Sequence, residues 1–386
     1  MRSPEVFPPP PPTGPFEAAL DRAVHVAALS PSSHNCQPWA LAHLAGPEAR
    51  SAAAALLGDQ ASSAHHYLAL ALDRSHQLSA LPAHGLEMLL SCGLYGQLLV
   101  RALASQRWTL AQATFLAPEA PELHEDWPEQ WTALCVLKLA PDGEPVESIT
   151  ELAAVADARR TNRAPYRDEP IDAAILDALD APGTALSADS DVRVSHLSSA
   201  EDRARLADLL VRHAGRDFSD LAAWRETHSY IRTPQQVAEQ GDGFTLAQLF
   251  GPMRPARRRF MELALAPSTM RALRHLGYPR LLVGQLAAIA RDTPVISILS
   301  LPAENPAASD LLRAGAYLTD YWLRATHSGL AMHPLSILLQ HEDARRDLQR
   351  QFDLPGRAFF VARLGRSTVA FPRTARRASA AARRAL

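Results

Sequence analysis

The sequence predicts an α+β fold built from two like halves. Three observations predict it. Apolar strand candidates alternate with helical stretches along the chain. Two long apolar helices read alike, "CGLYGQLLVRA" against "AGAYLTDYWLRA", with Gly93 matching Gly315 and Tyr95 matching Tyr317. A stretch of about 215–290 interrupts the second half with a mix of Gly, Pro, aromatic and basic residues unlike a core element. With 386 residues and 47% hydrophobic content, the chain can bury one large core or two ordinary ones.

The elements follow in order. Five consecutive prolines in residues 1–13 read as a polyproline II arm. The first half is expected over 14–145. Gly14-Pro15 opens a helix whose apolar positions Phe16, Leu20, Val24, Ala27 and Ala28 recur near helical period, and Pro31 blocks its continuation. "PWALAHLA" and "HYLALALD" (66–73) are strand candidates, 85–107 is a long helix, and "WTALCVLKLA" (131–140) is apolar enough for a buried strand. Small residues Cys92, Gly93 and Gly96 let another helix come close. "PDGEP" (141–145) is turn chemistry at a half-way boundary.

The second half, 146–377, repeats the grammar: a helix at 151–159, a strand at 191–197, a helix after it, a strand at 293–301, a long helix at 309–330 capped by Ser309, and a last strand at 357–365. The basic, alanine-rich residues 378–386 read as a solvated tail. "HEDARRDLQ" (341–349) reads as a helix face with i,i+4 charge pairs.

Composition excludes several classes. A net charge of −2 argues against nucleic acid as the main partner. Cys36, Cys92 and Cys135 lack CxxC spacing, so neither a disulfide framework nor a zinc site is expected, and a cytoplasmic location fits. The start lacks an apolar signal core, and no apolar run reads as a membrane span. GxSxG, HExxH, P-loop and GxGxxG signatures are absent. His65 and His66, with no carboxylate at ligand spacing, read as surface residues.

Two stretches carry chemistry. "PSSHNCQPW" (31–39) spends short donors and acceptors where a core element would not. "ARRTNRAPY" (158–166) clusters Arg159, Arg160 and Arg163 with Thr161 beside a helix end, side chains suited to a phosphate. "RPARRR" (254–259) is a charge run on a solvated face.

The first stretch resembles the Ser-Ser-x-Asn-x-Gln-Pro-Trp signature of the nitroreductase family. The second is similar to that family's Arg-Arg-Ser-x-Arg phosphate segment. Typical members are homodimeric flavoenzymes in which each flavin takes the two segments from different subunits. Here the order is reversed and the spacing exceeds a hundred residues. The resemblance, closest to the Acg-like branch, therefore implies a nitroreductase-like α+β fold whose two fused halves form an intrachain pseudo-dimer with a lid insertion, a monomer or weak homo-oligomer, and one FMN per chain.

The resemblance also assigns roles. Arg159, Thr161 and Arg163 would grip the FMN phosphate, with Arg160 facing solvent. One of Arg373, Arg376 and Arg377 would add a contact, Arg376 standing for the set. Pro31, Ser32, Ser33, Asn35 and Gln37 would approach the ribityl chain and the pyrimidine side of the ring. Trp39 is a packing anchor, and His34 a family-variable position. "SGLAMHPLSI" (328–337) matches the segment beside the reactive ring edge. It makes His333 and Pro334 cofactor contacts and Leu335 and Ser336 the catalytic pair, through a backbone N–H near flavin N5. The Glu–Gly pair of typical members is absent at Ser336–Ile337. Trp224, Tyr230, Arg232 and Phe244 in the insertion would line a small-molecule substrate pocket. The implied activity is hydride transfer between FMN and NAD(P)H or a small organic substrate. The alternative is a lid-covered protein that sequesters FMN with little turnover.

Overall fold

The computed structural model describes residues 15–117 and 123–386. The proline-rich arm expected over 1–13 lies outside them. Strands β1 (Trp39–His43), β2 (His66–Asp73), β3 (Thr109–Phe115) and β4 (Trp131–Ala140) form an antiparallel sheet in the order β3-β4-β2-β1. A second antiparallel sheet runs β5-β6-β8-β7, from β5 (Arg193–Leu197), β6 (Val295–Leu301), β7 (Ala331–Pro334) and β8 (Arg357–Gly365). The chain then returns to the first sheet, where β9 (Arg383–Ala385) pairs in parallel with β1. Residues 378–386 are thus not the solvated tail expected: backbone hydrogen bonds hold their end to β1.

Helix α1 (Pro15–Ala27) buries Phe16, Leu20 and Val24 at the expected period and leads into the 31–38 loop. Helix α2 (Pro47–Leu56) follows β1, and α3 (His84–Ala104) follows β2. By length and composition α3 could cross a membrane, at a hydropathy of 1.3, contrary to the reading that no such run exists, but 78% of that window is buried in the protein. Its apolar character therefore belongs to a core helix. Beyond β4 come α4 (Ile149–Ala158), α5 (Ala173–Leu179) and α6 (Ala200–His213). Ser199 caps α6 by accepting from the Asp202 N–H at 3.0 Å.

The insertion does not form an irregular loop. It folds as short helices, α7 (Gly215–Ser219), α8 (Leu221–Ser229), α9 (Pro234–Gln240), α10 (Leu246–Phe250), α11 (Pro255–Ala264), α12 (Pro267–Leu273) and α13 (Tyr278–Arg291). Prolines open several of them, and Thr233 and Thr245 cap α9 and α10. Trp224, Phe244, Leu246, Leu249, Leu265 and Met270 give this segment an apolar cluster of its own.

Helix α14 (Ala308–His327) starts one residue before the expected Ser309 cap, because the Asp310 carboxylate accepts from the Ala307 N–H at 2.8 Å. It lies against α3. A Cβ on Gly93 would come within 2.1 Å of the Leu312 carbonyl oxygen, and a Cβ on Gly315 within 2.2 Å of the Leu90 carbonyl oxygen. The two backbones touch where both helices carry glycine. Leu312 and Ala316 join the apolar core under the first sheet, while Leu90 and Leu94 join that under the second. Helix α15 (Glu342–Gln351) carries the expected Glu342–Arg346 pair and precedes β8.

Candidate functional site

The loop between α1 and β1 is held in an uncommon shape. His34, Asn35 and Gln37 all have positive φ, at 49°, 54° and 52°. Non-glycine residues adopt that region only when their surroundings demand it. The demand is visible in the hydrogen bonds. Ser32 Oγ accepts from the Gln37 N–H at 2.9 Å. Asn35 Nδ2 donates to the carbonyls of Gly243 at 2.9 Å and Ala375 at 3.1 Å. Gln37 Nε2 donates to the Gly241 carbonyl at 2.8 Å, and its Oε1 accepts from the Arg377 N–H at 2.9 Å.

The amides of Asn35 and Gln37 are therefore spent on fastening the loop to the insertion and to residues 375–377. For Gln37 that differs from the expectation that it approaches a ligand. Asn35 still borders the cleft described next, but Gln37 is not among the residues lining it. Trp39 is buried and stacked on Tyr95 with ring centroids 5.0 Å apart, a packing anchor as expected.

Pro31, Ser32 and His34 sit opposite Thr161 and Arg163 around two adjoining clefts of about 100 and 200 Å³. The first is strongly basic, with Arg159, Arg160, Arg163, Arg373 and Arg376 on its walls. Arg159 is only 7% exposed, lies over the Trp322 ring at 4.9 Å, and among the described residues has no hydrogen-bond partner for its Nε. Burial pushes its guanidinium down to about 9, with Arg376 and Arg160 adding repulsion. Burial likewise pushes Arg163 and Arg376 down to about 10.

Among the described residues no carboxylate pairs with Arg159, Arg163 or Arg376. Burying a cation without a counter-charge costs several kcal/mol. A wall carrying buried Arg159 with half-buried Arg163 and Arg376 calls for an anion of more than one charge, and a phosphate monoester supplies it. Arg160 does not face solvent freely, since it folds back on the carbonyls of Asp157 and Arg159, and Arg373 is paired with Asp157. Of the three C-terminal candidates, Arg376 lines the cleft with Arg373 and donates to Asn35 Oδ1 at 3.1 Å. Arg377 lies elsewhere, 3.5 Å from Asp73.

The second cleft is more apolar. Trp322, Leu94, Phe359 and Phe360 line it, and Phe244 borders both clefts. Pro334 and Ser336 reach it from the segment after β7. Leu335 does not supply a free N–H, because that group donates to the Val361 carbonyl at 2.7 Å. Ser336 opens a 3₁₀ turn, whose leading N–H groups lack partners within the turn, and is the better placed of the pair. His333 is buried and its Nδ1 is 3.1 Å from Arg363 Nη1, so it supports β7 and is not among the cleft-lining residues.

Of the four insertion residues expected to meet substrate, only Phe244 lines a cleft. Tyr230 stacks on His34 at 6.0 Å. Arg232 is paired with Asp242 at 2.7 Å. Trp224 is buried in the insertion's own cluster, its Nε1 donating to the Leu265 carbonyl at 2.9 Å.

One polar residue of the second cleft escaped the sequence reading. Glu87, the lone acid in α3, accepts from Ser33 Oγ at 2.5 Å and from Gln340 Nε2 at 2.7 Å. Burial raises its carboxyl above the usual range, against the opposing pull of the Ser33 hydrogen bond. Nearby His34 is pushed down to about 3, first by burial and then by His84 and Arg163, so it stays neutral. A charged residue in "GLEMLLSCG" was the available signal.

The chain is 31% identical over 376 residues to a probable NAD(P)H nitroreductase, PigM, of a Serratia species, covering 94% of this chain and 92% of that protein. The chain belongs to the nitroreductase family. An uncharacterized Mycobacterium tuberculosis protein, Rv3127, is 25% identical over 341 residues, covering 86% of this chain and 83% of that one. No family model matches. Among solved structures, a putative nitroreductase from Anabaena variabilis matches at 11% identity with a TM-score of 0.48, covering 93% of this chain and 90% of that one. The FMN-dependent nitroreductase NfnB of Mycobacterium smegmatis, solved with NADPH, matches at 18% identity with a TM-score of 0.35, covering 57% of this chain and 92% of that one. As a nitroreductase-family member the chain is assigned to a family of flavin oxidoreductases.

Proposed function

We propose that this protein is an FMN-dependent oxidoreductase that moves a hydride between one bound FMN and NAD(P)H or a small organic substrate. The observation that carries the reading is the set Arg159, Arg163 and Arg376, which no carboxylate pairs among the described residues, beside an adjoining apolar, aromatic cleft. Arg159, Thr161, Arg163 and Arg376 would hold the phosphate. Pro31, Ser32 and His34 border the path between the two clefts. FMN, when bound, supplies the two-electron redox chemistry. The chain's part is to position and to shield: Phe244 and Trp322 would exclude water, the Ser336 N–H would serve the ring edge, and Glu87 would place a titratable carboxyl in the cleft that admits substrate.

The pseudo-dimer reading belongs to this proposal. Each long helix presents a glycine to the other's backbone, each lies between two sheets, and the 31–37 loop meets the 159–163 segment from the opposite half. One FMN site per chain follows, with the second pair of segments lost. The insertion acts as a lid fastened at Asn35 and Gln37, yet it leaves the second cleft open beside Glu87, which favours turnover over sequestration.

The test is an anaerobic absorbance titration of purified protein. About one FMN per chain, bleached by NADH or NADPH, is the expected result. FMN that resists both nucleotides and bleaches only with dithionite would favour sequestration or a dedicated substrate. No flavin, and none taken up from added FMN, would overturn the reading.

A further inference from the structure

Away from the clefts, the start of α1 meets the ends of β1 and β2. His43 closes β1, His66 opens β2, and Glu17 lies in the first turn of α1. One ligand atom from each, an imidazole nitrogen from both histidines and a carboxylate oxygen from Glu17, lie within 4.8 Å of one another. His43 is 4% exposed, and among the described residues its Nε2 has no hydrogen-bond partner; Nδ1 of His66 is likewise buried and unpartnered among them. A buried polar atom without a partner costs about 1–3 kcal/mol, and two in one small cluster ask for a common explanation. The sequence reading placed His66 at the surface with no carboxylate near; folding brings both Glu17 and His43 to it.

We propose that Glu17, His43 and His66 bind a divalent transition-metal cation of the zinc class. Two imidazoles and one carboxylate are a borderline-hard set that suits Zn²⁺ or its neighbours. The ring positions are fixed as metal sites require. Phe16 stacks on His66 with centroids 3.8 Å apart and planes 7° from parallel, and Trp108 meets the His66 ring edge-on at 5.1 Å. Stacking above a ring leaves its in-plane lone pair free. Two cations stand near. Arg383 is occupied by Asp21, and Arg50 donates to the carbonyls of Ser62 and His65, so neither takes the Glu17 carboxylate.

The three ligands join α1 to two adjacent strands, so the ion would act as a clip on the first sheet, with no part in the redox step. Because α1 leads straight into the 31–38 loop, the clip would fix one end of that loop.

The test uses tag-free flavin-loaded protein, stripped with a chelator and then given Zn²⁺ alone. One zinc retained per chain after dialysis, with an upward shift in Tm, is expected. His43→Ala and the half-exposed His66→Gln should each lose both responses while keeping wild-type flavin content and circular dichroism. Should His43→Ala fail to fold, His66→Gln decides. Wild-type protein that retains no zinc, or variants that retain it as well as wild type, would overturn the site. Flavin content is read separately, so loss of zinc binding and failure of the FMN reading are distinguishable.

Discussion

Arg159 and Arg163 show how a residue can be costly alone and favourable with its ligand. Each charge-assisted hydrogen bond to a phosphate is worth about 1.5–3 kcal/mol, about 10- to 100-fold in affinity. Arg159→Ala should therefore weaken FMN binding by about that factor, and Arg159→Ala with Arg163→Ala should give colourless protein. Stoichiometric FMN in the purified double variant would refute the phosphate assignment. Glu87→Gln keeps the shape and removes the titratable proton. It should retain flavin while flattening the pH dependence of flavin reduction, read by stopped-flow absorbance. An unchanged pH profile would remove Glu87 from the proton path. At this scale the sequence was partly legible. Thr161, Arg163 and Ser32 line the clefts, and their polar types in two short stretches were visible in the sequence. Gln37 and Trp224 were misread, because their partners lie 41 to 340 positions away and nothing in their neighbours announces them.

Among elements, the strands with long apolar runs were legible to the residue: β2, β4 and β8 match their expected bounds. The missed strands lack that signal. β3 alternates partly exposed positions, β7 spans four residues, and β9 is an arginine-rich triplet whose pairing is decided by β1. The insertion's helices were hidden by their shortness and their prolines. Its attachment offers an element-scale test. Gly243 has φ +62°, and a Cβ there would stand 2.5 Å from the Tyr230 carbonyl oxygen. Gly243→Val should displace the segment that receives Asn35 and loosen the insertion. Faster proteolysis within 215–290, with faster flavin release, is the expected readout; wild-type behaviour in both would show that the insertion hangs on other contacts.

For the whole molecule, pH reports two histidines held neutral, half-buried His34 and buried His333. His34 is pushed down to about 3 and His333 well below its usual range, both mainly by burial. The unfolded chain takes up these protons near pH 6.5 and the folded one does not, so stability falls as pH drops below about 6.5 and continues to fall toward 4. Denaturant midpoints of the flavin-free protein at pH 7 and pH 5 should show the loss; His34→Gln should reduce it. A pH-independent midpoint would contradict the neutral state of both rings. The close crossing of α3 and α14 was readable from Gly93 and Gly315, small residues at matched places in two apolar helices. That crossing also limits how the chain can change over generations. Each glycine faces main-chain atoms of the opposite helix, and main chain is common to all residues. No second-site replacement can make room, so a substitution at either position has no compensating partner, and a library of functional variants should be empty at both while tolerating paired exchanges elsewhere in the same helices.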